Sequence, residues 1–108
     1  MTLLQKRDAL RSAARLDLYE TTRARLREAL GDLMPGEDVV LFGSLTRRGV
    51  FNAASDVDLA LHREPANLTA AQLMMELAER LERRVDVVLL PRCRFKEKIL
   101  REGEAWTA

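Results

Sequence analysis

Val39 to Leu61 reads VVLFGSLTRRGVFNAASDVDLAL. An apolar run, Val39 to Phe42, stops on Gly43 and Ser44. A polar turn with Arg47 and Arg48 follows, and a second apolar run then carries Asp56 and Asp58. Carboxylates beside a buried strand cost free energy unless something pairs them. Side chains alternate along a strand, so Asp56 and Asp58 project from one face, roughly 6.6 Å apart at Cα. That spacing lets both reach one hard cation, and Mg²⁺ at phosphoryl sites is held by one or two carboxylates plus phosphate oxygens. Gly43 lets backbone come close to a phosphate. A helical turn starting at Ser44 would aim free N–H groups at the anion.

Working outward, the residues before this stretch read as helix from 2 to 33. Leu3, Leu10, Ala14, Leu18, Leu26, Ala29, Leu30 and Leu33 form one apolar stripe, and Gly31 is the expected C-cap. A straight rod of that length spans about 45 Å. A chain of this size has a radius of gyration of only about 13 Å. The helix must therefore bend near Arg15 to Leu18 or project. Arg7, Arg11 and Arg15 lie four apart on one face, which reads as a solvated face or as a surface for a partner.

Met34 to Glu37 is a turn, and strand one covers 38 to 42. A helical turn from Ser44 to Arg48 precedes a loop with Gly49 and Asn52, and strand two runs from Asp56 to His62. Asn67 is placed to cap a helix over 68–83 that buries Leu73, Leu77 and Leu81, with Met74 as filler. Strand three runs from Arg84 to Leu90 and closes at Pro91, and a last helix covers 95–102. Trp106 is expected to fold back onto the core. Strand two, helix and strand three make a β-α-β unit with parallel strands. The short link from strand one favours antiparallel pairing. The expected fold is α/β (α+β), a small three-stranded mixed sheet with flanking helices. Val85, Val87 and Leu89 share one face of strand three, and Asp86 lies on the other.

The 108 residues suit one domain, 1–108, with one modest core. A net charge of +1 gives no case for bulk nucleic-acid binding. The single cysteine, Cys93, excludes an internal disulfide and any multi-cysteine zinc site, and fits a reducing, cytoplasmic setting. Charge breaks the amino-terminal apolar run at once, so no signal peptide is read, and no stretch approaches a membrane span.

Phe42-Gly43-Ser44-Leu45-Thr46-Arg47 followed by Ser55-Asp56-Val57-Asp58-Leu59 resembles the polymerase-β-like nucleotidyltransferase superfamily. The small size resembles its minimal branch, the MNT proteins. Asp86, in Arg84-Val85-Asp86-Val87-Val88, matches the family's third carboxylate. The turn departs from the family pattern at Arg48, where glycine is usual, with Gly49 one place later. The resemblance implies a nucleotidyltransferase-like fold and a Mg-dependent transfer of a nucleoside monophosphate, AMP from ATP, to a hydroxyl. Asp56, Asp58 and Asp86 would be catalytic and hold two Mg²⁺ ions, while Gly43, Ser44 and Arg47 would hold the nucleoside triphosphate. It also implies a HEPN-like helical protein as partner, in a toxin-antitoxin pair, and leaves a homo-oligomer open. The alternative is a non-catalytic nucleotide-binding module that neutralises its partner by contact.

Each residue also has a plain structural reading. Asp56 could accept hydrogen bonds in a turn with Ser55, Asp58 could pair with an arginine, and Asp86 could face water from an edge strand. Ser44 could be a helix cap only. His62 reads as a surface residue and Cys93 as inert.

Overall fold

The computed structural model describes all 108 residues, Met1–Ala108. Helix α1 runs unbroken over Leu3–Leu33. Thr2 starts it with a capping box: its hydroxyl accepts from Gln5 N–H, and Gln5 Oε1 accepts from Thr2 N–H. Gly31 stands inside the last turn and Met34 is the C-cap, so the expected glycine cap moves three residues on. Met1 to Arg15 are all exposed, and burial begins only around Leu18, Tyr19 and Thr22. The helix therefore projects. The chain measures 53 × 28 × 20 Å, with a radius of gyration of 15.3 Å.

Three strands fall within two residues of where they are expected: β1 at Asp38–Phe42, β2 at Val57–Leu61 and β3 at Val85–Leu89. Asp56 and Arg84 thus sit just before their strands. β1 pairs antiparallel with β2, and β2 pairs parallel with β3. Helix α2 covers Ala70–Leu81 and is capped by Thr69, not Asn67, because Thr69 stands three residues before Gln72 and completes a second capping box. Helix α3 covers Lys96–Glu102.

The sheet has four strands, not three. Glu104–Thr107 forms β4, antiparallel to β1, giving the order β3-β2-β1-β4. Gly103 makes this possible. A Cβ there would lie 2.5 Å from Ile99 O and 2.6 Å from Val40 Cγ1, so only glycine lets the chain leave α3 and press against β1. Hydrogen bonds between Gly36 and Ala108 (2.7 Å) and between Ala108 and Glu37 (2.8 Å) lengthen the pairing.

The two faces of the sheet differ. Val39, Leu41, Val57, Leu59, Leu61, Val85 and Trp106 pack with Leu26, Leu30, Leu73 and Leu77 of α1 and α2 into the main core. Only Val40, Ala60, Leu90 and Ile99 form a core on the other face, under α3. Both Asp58 and Asp86 belong to that second face by alternation.

Candidate functional site

The site is assembled by register. In the parallel pair Asp58 stands opposite Asp86, and in the antiparallel pair Phe42 stands opposite Asp58. The side chains of Phe42, Asp58 and Asp86 therefore form a row across three strands. Phe42 ends β1, and the chain enters a 3-10 turn over Gly43–Thr46. Gly43 is required there twice over. Its φ is +76°, and a Cβ would overlap Asp58 Oδ2. The missing side chain is the room in which the Asp58 carboxylate lies. Thr46 Oγ1 donates to Gly43 O at 2.7 Å and closes the turn.

The turn is bolted to the rest of the molecule from behind. Arg23 of α1 donates to Leu45 O at 3.0 Å and to Glu104 of β4 at 3.2 and 2.5 Å. Trp106 Nε1–H donates to the same carboxylate at 2.6 Å. These bonds hold the Glu104 carboxyl below its usual value, first through Arg23. The loop from Gly49 to Asp56 is also fastened. Phe51 is fully buried, Arg83 lies 4.6 Å over its ring, and the same arginine donates to Ser55 O at 2.6 Å. Ser55 Oγ and Asn52 Oδ1 accept backbone N–H groups within the loop, so Ser55 serves the turn.

A groove of about 970 Å³ opens here. Gly43, Ser44, Arg47, Asp58 and Asp86 line its polar end. Phe42, Val88, Cys93, Phe95 and Ile99 line its apolar end, with Lys98 and Glu102. Five of the six sequence-predicted residues thus share one groove. Asp56 is not among the residues that line it and stands one residue before β2 begins. The two arginines of the turn part company: Arg47 lines the groove, whereas Arg48 turns to α1 and pairs with Glu20 at 3.2 Å. His62 is exposed, as expected, and takes no part. Cys93 lines the apolar end.

The electrostatics are those of uncompensated like charge. Burial, and then Asp86 and Asp56, push the Asp58 carboxyl up, and Arg84 alone pulls it down. Arg84 is the residue that motif reading passed over. Its Nε lies 3.6 Å from Asp86 Oδ1 and 3.9 Å from Asp56 Oδ2. Its signal was available, two positions before Asp86 on the same face of the strand. The three carboxylates are not drawn into a ready-made coordination set. The donors are all oxygen, two from paired strands, with one half-buried carboxylate short of positive charge. Such a set fits a hard divalent ion whose remaining ligands come from phosphate.

Residues 35–105 match the family model described as polymerase beta, nucleotidyltransferase. Two solved structures are similar to the chain. One is a toxin-antitoxin crystallised with AMP-PNP: 25% identity, TM-score 0.59, covering 79% of this chain and 73% of that one. The other is the toxin-antitoxin MntA-HepT: 22% identity, TM-score 0.56, covering 82% and 73%, a likeness of fold. No curated protein matches.

Proposed function

Since the chain belongs to the polymerase-β nucleotidyltransferase family, we propose that it moves AMP from ATP to a hydroxyl of a HEPN-type helical partner, as the antitoxin of a toxin-antitoxin pair. It does so as one minimal nucleotidyltransferase domain. The observation that carries this reading is the Asp58–Asp86 register pair opening into one groove with Gly43 and Ser44. The similar toxin-antitoxin with AMP-PNP supports both the adenine nucleotide and the pairing.

In the reaction the acceptor oxygen forms a bond to the α-phosphorus. The bond from that phosphorus to the α–β bridging oxygen breaks, and pyrophosphate leaves with the electron pair. Ser44 and the amides of the 3-10 turn hold the outgoing phosphates, and Arg47 meets their charge. Asp86, at the groove wall, takes the hydroxyl proton. Asp56, Asp58 and Asp86 would hold Mg²⁺, which would supply charge neutralisation for the transferred phosphate. Phe42, Val88 and Ile99 give the nucleoside an apolar bed.

The groove is open on one side, and positioning of the acceptor must come from elsewhere. The projecting half of α1 is the surface for recruiting it. Lys6, Arg7 and Arg11 stand there against the single Asp8, beside exposed Leu3, Leu4 and Leu10, while Arg15 donates to Gly49 O at 3.4 Å. An acidic helical surface on the partner complements that arm. The test is intact-mass spectrometry of the partner after incubation with this chain, Mg²⁺ and ATP. Added AMP on the partner is expected, and none with Asp58→Asn. An unmodified partner at full occupancy of ATP overturns the transfer.

One observation favours the non-catalytic reading: the carboxylates are spread and partly paired with Arg84. On that reading Asp58→Asn neutralises the partner as well as the wild type does.

A further inference from the structure

Four charged side chains occupy one corner of the sheet as a two-by-two grid. Asp56 and Asp58 alternate along one chain segment, and Arg84 and Asp86 alternate along the next. The segments are in register, since Asp58 pairs with Asp86 and Val57 with Val85. The ladder extends back one step, with Val57 N–H donating to Arg84 O at 3.0 Å. Three corners of the grid are anionic and one is cationic.

Such a grid has a folding problem. Three carboxylates at the start of two strands repel each other, and no other cation is within ion-pair distance of them. Arg83, the neighbour, is taken up by Phe51 and Ser55 O. Arg47 forms no ion pair. Arg84 therefore carries the compensation alone.

It carries it loosely. Its contacts of 3.6 and 3.9 Å exceed the roughly 2.7–2.9 Å of a charge-assisted hydrogen bond. Its side chain is 73% exposed. Exposed pairs of this kind contribute little and are easily exchanged. Arg23 shows the opposite design in the same molecule, with two hydrogen bonds to Glu104 and 21% exposure.

We infer that Arg84 is a displaceable placeholder: it bridges Asp56 and Asp86 until a divalent cation takes their oxygens, and so sets the affinity of the site for that cation. The inference rests on the metal-binding reading above and adds to it a residue that competes with the metal for the same two carboxylates. Arg84 is a positioning residue here, since it acts through the aspartates.

The probe is Mn²⁺ alone, its free concentration read by electron paramagnetic resonance on the intact chain. Arg84→Gln is expected to bind Mn²⁺ about two- to five-fold more tightly than wild type, the scale of one ion pair removed at an exposed contact. Arg84→Lys is expected to restore near wild-type affinity, because an ammonium reaches both carboxylates. Arg92→Gln, which removes an exposed cation outside the grid, is expected to change nothing. Melting in EDTA gives a second readout: Arg84→Gln melts lower than wild type there and regains more on adding Mn²⁺. Equal affinity of Arg84→Gln and wild type overturns the proposal, as does equal tightening by Arg92→Gln. If Asp58→Asn loses Mn²⁺ while Arg84→Gln binds as wild type does, the site stands and the placeholder falls. If no form binds Mn²⁺ even with AMP-PNP added to supply the phosphate ligands, both fall.

Discussion

On one face of the sheet an acid, Glu104, lies against Arg23 and Trp106 and is held below its usual pKa. On the other face an acid, Asp58, lies against Asp86 and Asp56 and is pushed up. Both belong to the same four-stranded sheet, and Leu41 pairs with Glu104 one residue away from the Phe42–Asp58 pair. The difference is what covers each face. α1 and α2 lie over the first and bring cations and apolar side chains to it. Only the short α3 lies over the second, and it leaves a groove. The covered face supplies stability, and the open face holds charge that the fold alone does not compensate. The proposed metal and nucleotide would supply the charge that the open face lacks.

The comparison can be broken most directly in the covered face. Leu41→Ala, at a position with no exposure, is expected to cost about 2–5 kcal/mol by urea unfolding. A cost below about 1 kcal/mol would mean that this face is not the core. A smaller effect separates the two acids. Glu104→Gln should cost about 1 kcal/mol at neutral pH, after screening at a partly exposed carboxylate. Asp58→Asn should cost nothing or stabilise slightly, while removing the proposed AMP transfer.

Acid sharpens that contrast, because the signs are opposite. Glu104 has a lowered folded pKa, so its stabilisation is present above about 4.5 and is lost as pH falls through the folded value. Asp58 has a raised folded pKa, so its penalty is absent below about 3.8 and grows as pH rises through the folded value. Paired melts from acid to neutral pH should show wild type gaining on Glu104→Gln and losing to Asp58→Asn. Curves that move in the same direction would refute the assignment. The smallest stability effect belongs to the arm: Leu10→Ser should stay within about 0.5 kcal/mol of wild type. The same change should weaken capture of the proposed partner, measured by calorimetry, and unchanged partner affinity would move the proposed docking surface away from α1.

Much of this was legible in the chain itself. The three strands of the β-α-β unit and its antiparallel neighbour, the pairing directions and the placement of Asp86 opposite the apolar face follow from period-two alternation and short links. Those are local properties. Gly43, Ser44, Asp56 and Asp58 are candidates because phosphate and metal chemistry favours these residue types at this spacing, and Asp86 is one through the family resemblance; four of the five line one groove. β4 could not be read, because its four residues carry no periodicity and become a strand only against β1, where Gly103 permits the approach. The caps differed for a similar reason. Thr69 with Gln72 satisfied two backbone groups at once, and Asn67 had no such partner.

The sequence by itself determined which side chains the strands present on each face, since residue identity and strand alternation are written along the backbone. Tertiary structure alone decided how the charges meet. It separated Arg47 from Arg48, buried Phe51 in the loop, and tied Arg23 across α1, the 3-10 turn and β4. It also brought Arg84 against Asp56, 28 positions away in the sequence. Such contacts depend on distances between segments far apart in the chain, and only the packed sheet sets those distances.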